Sequence, residues 1–82
     1  MFVELISPDK VYFSGECIMV RLPGEKGSFS VLDNHAPIIS SLEGGVVKIT
    51  LKDEFLIFDV DSGYVEVKDN RVTICGDKVV KI

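Results

Sequence analysis

The 82-residue chain has few of the residues that build reactive or metal-binding sites. It contains one histidine and two cysteines, Cys17 and Cys75, and it has no nucleophile elbow, phosphate loop or zinc-ligand spacing. Both cysteines fall in predicted strands, whereas a secreted scaffold of this size normally carries more cysteines, at turns. We therefore expect reduced thiols, no disulfide, no metal and no cofactor.

Positive charge and long apolar runs are also scarce. Nine Lys and Arg stand against thirteen Asp and Glu, giving a net charge of −4, and the basic residues are scattered along the chain. This distribution argues against a nucleic acid or an anionic lipid as ligand. Apolar runs are only a few residues long, and Glu4 follows Phe2 and Val3 at once, so we expect neither a membrane-spanning helix nor a signal peptide. Any association with a membrane should come through a partner.

The pattern that does run along the chain is an alternation of apolar and polar residues, rich in β-branched types. It predicts strands at residues 2–6, 11–13, 17–22, 28–32, 38–42, 46–51, 55–60, 64–67 and 71–75. In the third, Ile18, Val20 and Leu22 form the expected buried face, because Arg21 marks the solvent side. Residues 77–82 have no clear pattern and are expected to fray. The prediction is one all-β domain over residues 1–82, either an antiparallel sandwich or a flattened barrel.

Residues 23–37 are the most informative stretch, Pro-Gly-Glu-Lys-Gly-Ser-Phe-Ser-Val-Leu-Asp-Asn-His-Ala-Pro. Gly24 and Gly27 suit a positive φ, and Pro37 pushes the preceding residue into an extended conformation. The stretch predicts a shaped loop, a short strand and a second shaped loop, which together suit a contact surface. Six positions are expected to depend on their residue for a turn: Gly15, Gly24, Gly27, Asn34, Pro37 and Gly63.

The spacing Pro-Gly-x-x-Gly-x-Phe-x-Val-Leu-x-x-His-Ala-Pro resembles the signature of the epsilon subunit of rotary F-type ATP synthases, in its N-terminal β-sandwich domain. Residues 7–8, 13–16, 62–67 and 70–74 follow in the family's order, so the resemblance reaches from residue 1 to about residue 76. It implies two five-stranded sheets packed face to face and no catalysis. Asp33 and Asn34 stand where the family usually has Pro-Gly. Most members continue into a pair of C-terminal helices, and we expect this chain to end before them.

The resemblance also implies two partners and a place in the cell. Residues matching the family's contact with the gamma subunit, the rotor shaft, are Ser7, His35, Ala36 and Ser40. Residues matching the loop that touches the membrane c-ring are Lys26, Gly27, Ser28 and Phe29. The implied function is that of a central-stalk subunit on the cytoplasmic side of the cell membrane, coupling proton-driven rotation to ATP synthesis. No nucleotide binding by the chain itself is expected.

Several residues keep a second interpretation. His35 could act as a general base beside Asp33 or Ser40, although the scattered carboxylates offer no converging pair. Ser7 and Ser40 could be ordinary solvated hydroxyls. Phe29 could equally be a core residue of its short strand.

A carrier domain is the alternative from another class of protein. Lipoyl and biotinyl domains are flattened β structures that present a modified lysine, and Asp-Lys-Val occurs twice here, around Lys10 and Lys78. Carriers place that lysine mid-chain between two similar halves, whereas both candidates lie near the ends and Lys52 lacks the flanking pattern. A β-sandwich adaptor of unspecified partner is the remaining alternative.

Overall fold

The computed structural model describes all 82 residues as ten strands and no helix. The strands are β1 (Phe2–Ile6), β2 (Val11–Glu16), β3 (Met19–Leu22), β4 (Phe29–Leu32), β5 (Ile38–Leu42), β6 (Gly45–Thr50), β7 (Phe55–Val60), β8 (Gly63–Lys68), β9 (Arg71–Gly76) and β10 (Val79–Lys81). The structure contains no helix that is long and apolar enough to cross a bilayer.

The strands form two five-stranded sheets, which confirms the predicted all-β sandwich. Sheet A has the order β2-β1-β9-β8-β5, and sheet B has the order β10-β7-β6-β3-β4. Every neighbouring pair is antiparallel except β1 and β9, which run parallel. β5 therefore lies at one edge of sheet A, and β10 lies at one edge of sheet B.

The core follows from the alternation within each strand, since successive side chains point to opposite faces of a sheet. In β1, Val3 and Leu5 are fully buried while their neighbours point outward. Seventeen buried apolar residues from both sheets form one cluster, with Phe58 of sheet B among its largest side chains. No polar or charged residue is buried. This core holds two stiff sheets whose outer faces and connecting loops are free to meet partners.

The predicted turn at Gly15 is wrong. β2 continues through this residue to Glu16, and Gly15 pairs with Val3 of the neighbouring strand β1. A Cβ atom at Gly15 would lie 3.4 Å from the Phe13 ring, so the aromatic side chain covers the glycine within the strand. Pairing with β1 here outweighs the local tendency of Ser-Gly to turn.

The predicted burial of Ile18 is also wrong, because 56% of its surface is exposed. The chain crosses from sheet A to sheet B between β2 and β3, and this crossing interrupts the alternation. Cys17 lies outside any strand and takes the buried position instead.

Residues 79–81 form a strand that the sequence pattern did not indicate. β10 pairs with β7, and Val79 is buried against the core. The backbone N–H of Ile82 donates a hydrogen bond to the carbonyl of Ile57 at 2.9 Å. Three residues with one buried side chain are too few to produce a recognisable period, which is why sequence reasoning missed this edge strand.

Candidate functional site

The turn that carries His35 is held by hydrogen bonds on two sides. Asn34 adopts the left-handed conformation predicted for it, with φ of 60°. The N–H of His35 donates to the carbonyl of Leu32 at 3.1 Å, which closes the turn after β4. The N–H of Asn34 donates to Oδ1 of Asn70 at 2.8 Å, which ties the turn to the loop between β8 and β9. The His35 turn is therefore a fixed surface feature.

A third anchor of this turn is electrostatic. The α-amino group of Met1 lies 2.7 Å from Oδ1 of Asp33 and 3.6 Å from a carboxylate oxygen of Glu16. The hydrogen bond from the amino group lowers the pKa of the Asp33 carboxyl, and the same bond raises the pKa of the amine. Asp33 is thus engaged with the amine and not with His35.

His35 itself has the environment of a contact residue. Its ring is half-buried, and Nδ1 shares a 2.6 Å hydrogen bond with the carbonyl oxygen of Ala36. The hydroxyl of Ser40 donates to the carbonyl of Ser41 at 3.1 Å, so neither Asp33 nor Ser40 orients the imidazole. No three His, Cys, Asp or Glu side chains converge as metal ligands would. The arrangement offers a polar aromatic ring next to two exposed residues, Ala36 and Pro37.

The loop between β3 and β4 folds over the edge of β5. The N–H of Glu25 donates to the carbonyl of Ser41 at 3.0 Å, and Gly24 forms an isolated bridge with Leu42. Gly27 closes the loop by donating to the carbonyl of Gly24 at 2.9 Å. The loop therefore connects the edge strand of sheet A to two strands of sheet B.

The predicted c-ring contacts lie on this loop but differ in exposure. Lys26, Gly27 and Ser28 are exposed at its tip. Phe29 begins β4 and packs against the core, which confirms the core interpretation of that side chain. Its role as a c-ring contact stays a prediction.

The glycines of this region act in two different ways. Gly27 has a φ of 126°, as predicted. The prediction of a positive φ at Gly24 is wrong, and packing restricts this position instead. A Cβ atom at Gly24 would lie 2.6 Å from the carbonyl oxygen of Gly27 and 2.8 Å from the Phe29 ring. Gly63, predicted at a turn, is instead the first residue of β8. Its φ is 153° and a Cβ atom would fall 2.0 Å from the carbonyl oxygen of Cys75, so this position requires glycine.

Ser40 lies with the loop and not with the other predicted gamma contacts. It pairs with Val65, whose side chain is fully buried, so Ser40 points toward the inner side of sheet A at the rim of the sandwich. There it lines a groove together with residues 24–29. The structure thus joins Ser40 to the predicted c-ring contacts.

Ser7 and the His35 turn lie at opposite ends of the outer face of sheet A. Ser7 follows Ile6, which pairs with Cys75 near the end of β9, whereas the His35 turn is bonded to Asn70 just before β9 begins. The Ser7 hydroxyl donates to the Asp9 carboxylate, and this bond lowers the pKa of Asp9. The predicted gamma contacts therefore frame this outer face from its two ends.

Two exposed side chains on the same face were missed by sequence reasoning. Ile39 is 75% exposed and Tyr64 is 52% exposed, on the neighbouring strands β5 and β8. Hydrogen bonding with Cys75 raises the pKa of Tyr64 above its ordinary value. Tyr64 also lines a groove of about 490 Å³ with Ser7 and Pro8.

Comparison with known proteins places the fold in one family. Residues 1–82 match the family model described as the ATP synthase delta/epsilon chain, beta-sandwich domain. The chain is 37% identical over 75 residues to the ATP synthase epsilon chain of Leptospira interrogans, which covers 92% of this chain and 59% of that protein. It is 39% identical over 80 residues to the ATP synthase epsilon chain of Caulobacter vibrioides, which covers 95% of this chain and 91% of that protein.

Solved structures agree on the fold. A chain of the Euglena gracilis mitochondrial ATP synthase, in an OSCP/F1/c-ring structure, superposes with a TM-score of 0.90 at 18% identity, covering 96% of this chain and 51% of that one. A chain of the Tetrahymena thermophila mitochondrial ATP synthase, in a central stalk/c-ring structure, superposes with a TM-score of 0.86 at 22% identity, covering 98% and 65%. The family match over all 82 residues and the two-sheet fold lead to one conclusion. The chain belongs to the ATP synthase delta/epsilon chain family, as its β-sandwich domain.

Proposed function

We propose that the chain is a non-catalytic central-stalk subunit of a proton-translocating F-type ATP synthase. It joins the gamma shaft to the membrane c-ring and turns with both, on the cytoplasmic side of the cell membrane. The observation that carries this proposal is the family match over all 82 residues. The two similar folds support it, because both come from ATP synthase assemblies that include a c-ring, one of them named as the central stalk.

The two proposed contacts are mechanically connected through the backbone. The outer face of sheet A, framed by Ser7 and the His35 turn, meets the gamma subunit. The loop tip at residues 26–28 meets the c-ring. The bond from Glu25 to Ser41 and the bridge from Gly24 to Leu42 link that loop to β5 of sheet A. Force applied at the loop therefore passes directly into the sheet that binds gamma.

The bonding of the sandwich is that of a stiff body, which suits a subunit that transmits force. Of its 49 backbone hydrogen bonds, 36 lie within the strands, and the remainder close turns and connect loops. Two sheets clamped over an apolar core leave few soft internal motions, because displacing one strand disturbs pairing and packing together. Ser40, which lies in β5 beside the loop, is at the border of the two contacts in this proposal.

Reconstitution tests the proposal. Membranes carrying an ATP synthase that lacks its epsilon subunit are supplied with the chain, and ATP synthesis is driven by an imposed proton gradient. We expect synthesis to be restored and the chain to co-purify with the alpha, beta and gamma subunits. Membranes without added chain, and membranes treated with an uncoupler, are the controls. Failure of the folded chain to co-purify with gamma would contradict the proposal.

A measurement of intact mass distinguishes the proposed function from the alternative of a carrier domain. Lys10 lies in the loop between β1 and β2, where its ammonium sits 4.5 Å from the centre of the Tyr12 ring. Lys78 lies in the connection from β9 to β10, which crosses between the sheets. We expect an unchanged intact mass after co-expression with a biotin or lipoate ligase, and a mass gain on either lysine would favour a carrier.

A further inference from the structure

Met1 is held inside the fold at one end of the sandwich. Its side chain belongs to the core, and 7% of the residue's surface is exposed. Met1 and Cys17 exchange two hydrogen bonds. The N–H of Cys17 donates to the carbonyl of Met1 at 2.9 Å, and the Met1 amine donates to the carbonyl of Cys17 at 3.3 Å. The N–H of Phe2 donates to the carbonyl of Asn70 at 3.2 Å, so the α-amino group of Met1 has a fixed place.

The amine of Met1 reaches from sheet A to a turn of sheet B. It donates to Oδ1 of Asp33 at 2.7 Å, and Asp33 follows β4, an edge strand of sheet B. Glu16 is a weaker partner, because its carboxylate oxygen lies 3.6 Å from the amine and its side chain is 78% exposed. The strand that follows Met1, β1, lies in sheet A. The short bond to Asp33 therefore connects the two sheets at the His35 turn.

Asn70, in the loop between β8 and β9, contacts both sides of this connection. Its backbone carbonyl accepts the bond from Phe2, next to the amine, and its side-chain oxygen accepts from the N–H of Asn34 at 2.8 Å. The pKa of the Asp33 carboxyl is lowered chiefly by the bond from the amine and further by a bond from the Asn70 side chain. We call Met1, Asp33 and Asn70 the N-terminal clamp.

The carboxylate of the N-terminal clamp is particular to this chain. Asp33 and Asn34 stand where the family usually has Pro-Gly, and the side chain of a proline offers no acceptor to an ammonium group. A proline also fixes its own φ, whereas an aspartate leaves that angle free to vary. The turn therefore lacks the restriction that proline would give it, and a bond from outside the turn can replace that restriction. The Met1 amine is in the position to supply this bond.

We infer that the α-ammonium group of Met1 is a positioning group for the His35 turn, so that an acyl group or a residue joined to its nitrogen loosens the turn. Such a bond converts the ammonium into a neutral amide, which keeps one N–H for two acceptors, Asp33 and the carbonyl of Cys17. The groove beside the amine, about 370 Å³ in volume, has room for a small acyl group. The loss therefore comes from the missing charge and not from a clash. This inference does not depend on the proposed function.

Hydrogen exchange measured by NMR tests this inference on the 82-residue chain, prepared by chemical synthesis with its Met1 amine either free or acetylated. The amides of Asn34 and His35 report on the turn, because both are hydrogen-bonded there. We expect acetylation to speed their exchange roughly fivefold, a modest factor because the Asp33 carboxylate is exposed. The amide of Glu25, bonded to Ser41 in another loop, is the internal control and should keep its rate. Circular dichroism shows whether each chain is folded.

Asp33→Asn distinguishes the proposed bond from a general loosening of the fold. This variant keeps the size of the side chain and removes its charge. Acetylation of the Asp33→Asn chain should change the exchange of the His35 amide by less than about twofold, because the two changes remove the same interaction and are not additive. Glu16→Gln is the matched control at the weaker partner of the amine, and acetylation should still speed exchange roughly fivefold in that chain.

Competitive acetylation gives a second reading that needs no folded acetylated chain. The folded chains with free amines are treated with a trace of acetic anhydride at neutral pH, and mass spectrometry compares Met1 with the lysines. The bond to Asp33 raises the pKa of the amine, so the wild-type amine should react more slowly than the amine of the Asp33→Asn chain. Equal reactivity in these two chains would overturn the inference. Equal exchange of the His35 amide in the free and acetylated wild-type chains would overturn it as well.

Discussion

The backbone N–H of Glu25 and the carbonyl oxygen of Ser41 are joined by a 3.0 Å hydrogen bond that connects the two sheets at the rim of the sandwich. Glu25 lies in the loop between two strands of sheet B, and Ser41 lies in the edge strand of sheet A. The bond satisfies a backbone group of an edge strand that would otherwise be open. It also fixes the loop tip relative to the outer face, so the two proposed contacts keep one geometry.

Gly24→Ala and Gly27→Ala should both destabilise the protein, for different physical reasons. A methyl group at Gly24 would meet the backbone of Gly27 and the Phe29 ring, and forced overpacking of this kind costs about 1–3 kcal/mol. At Gly27 the space is open, and only the φ of 126°, outside the left-handed region that alanine can adopt, opposes the substitution, at about 1–3 kcal/mol. Thermal unfolding of the two variants measures both losses of stability, and the matched pair differs only in the site of one methyl group. An unchanged Tm for Gly24→Ala would contradict this account of the loop.

The tie between Asn70 and the His35 turn can be removed without disturbing the backbone. Asn70 has a φ of 58°, which glycine adopts freely, so Asn70→Gly deletes the side chain that accepts from the N–H of Asn34. Losing this bond should cost about 1 kcal/mol and speed hydrogen exchange at the Asn34 amide. The wild type is the control with slow exchange, since Asn70→Asp would place a second carboxylate beside Asp33, which the Asn70 amide contacts. Equal exchange rates in Asn70→Gly and the wild type would show that the bond does not hold the turn.

Cys17 should resist modification and make the fold sensitive to alkali. Burial raises the pKa of its thiol, so the folded protein disfavours the thiolate. The contribution to stability is complete below the unfolded thiol pKa of about 8.5 and is lost as the pH rises through the higher folded value. We expect slow alkylation of Cys17 in the native state and a fall in unfolding free energy above about pH 8.5. Cys17→Ala should reduce that fall, whereas Cys75→Ala, at a less buried strand position, should retain it. A pH profile unaffected by Cys17→Ala would contradict the assignment.

Cross-linking should separate the two proposed contacts in the assembled complex. In a background with both native cysteines replaced by alanine, Ser7→Cys should link to the gamma subunit, because Ser7 borders the outer face of sheet A. Ser28→Cys, at the exposed loop tip, should link to the c-ring subunit. Mass spectrometry identifies each linked partner, and Val46→Cys on the outer face of sheet B is the control that should link to neither. If Ser7→Cys linked to the c-ring subunit and Ser28→Cys linked to the gamma subunit, the assignment of the two surfaces would be reversed.

Local sequence patterns predicted the strands and several turns because their signals are strong over short distances. The Asp69-Asn70 pair between two alternating runs predicted a hairpin, and both residues have the positive φ that such a turn requires, 53° and 58°. The direction of β5 could not be predicted in the same way. Its sequence is Ile-Ile-Ser-Ser-Leu, so two apolar residues are followed by two polar ones and no alternation shows which set faces inward. Only pairing with β8 turns Ile39 outward and Ser40 inward.

The site was predictable where it depends on adjacent residues and not where it depends on distant ones. The shaped loop and the His35 turn could be anticipated from Gly27, Asn34 and Pro37. The grouping of Ser40 with the loop, and of Tyr64 with Ser7, depends on strand order and on contacts across the sandwich. These are long-range relationships that a single sequence does not display.

The parallel pairing of β1 with β9 makes the fold cooperative from its first strand to its ninth. β1 pairs with β2, which follows it directly in the chain, but its other edge stays unpaired until residues 71–76 are present. Closing such a long chain segment carries an entropy cost, which the packing of the core has to offset. The outer face of sheet A is therefore complete only when β9 is in place, and the proposed contact with the gamma subunit requires the whole domain.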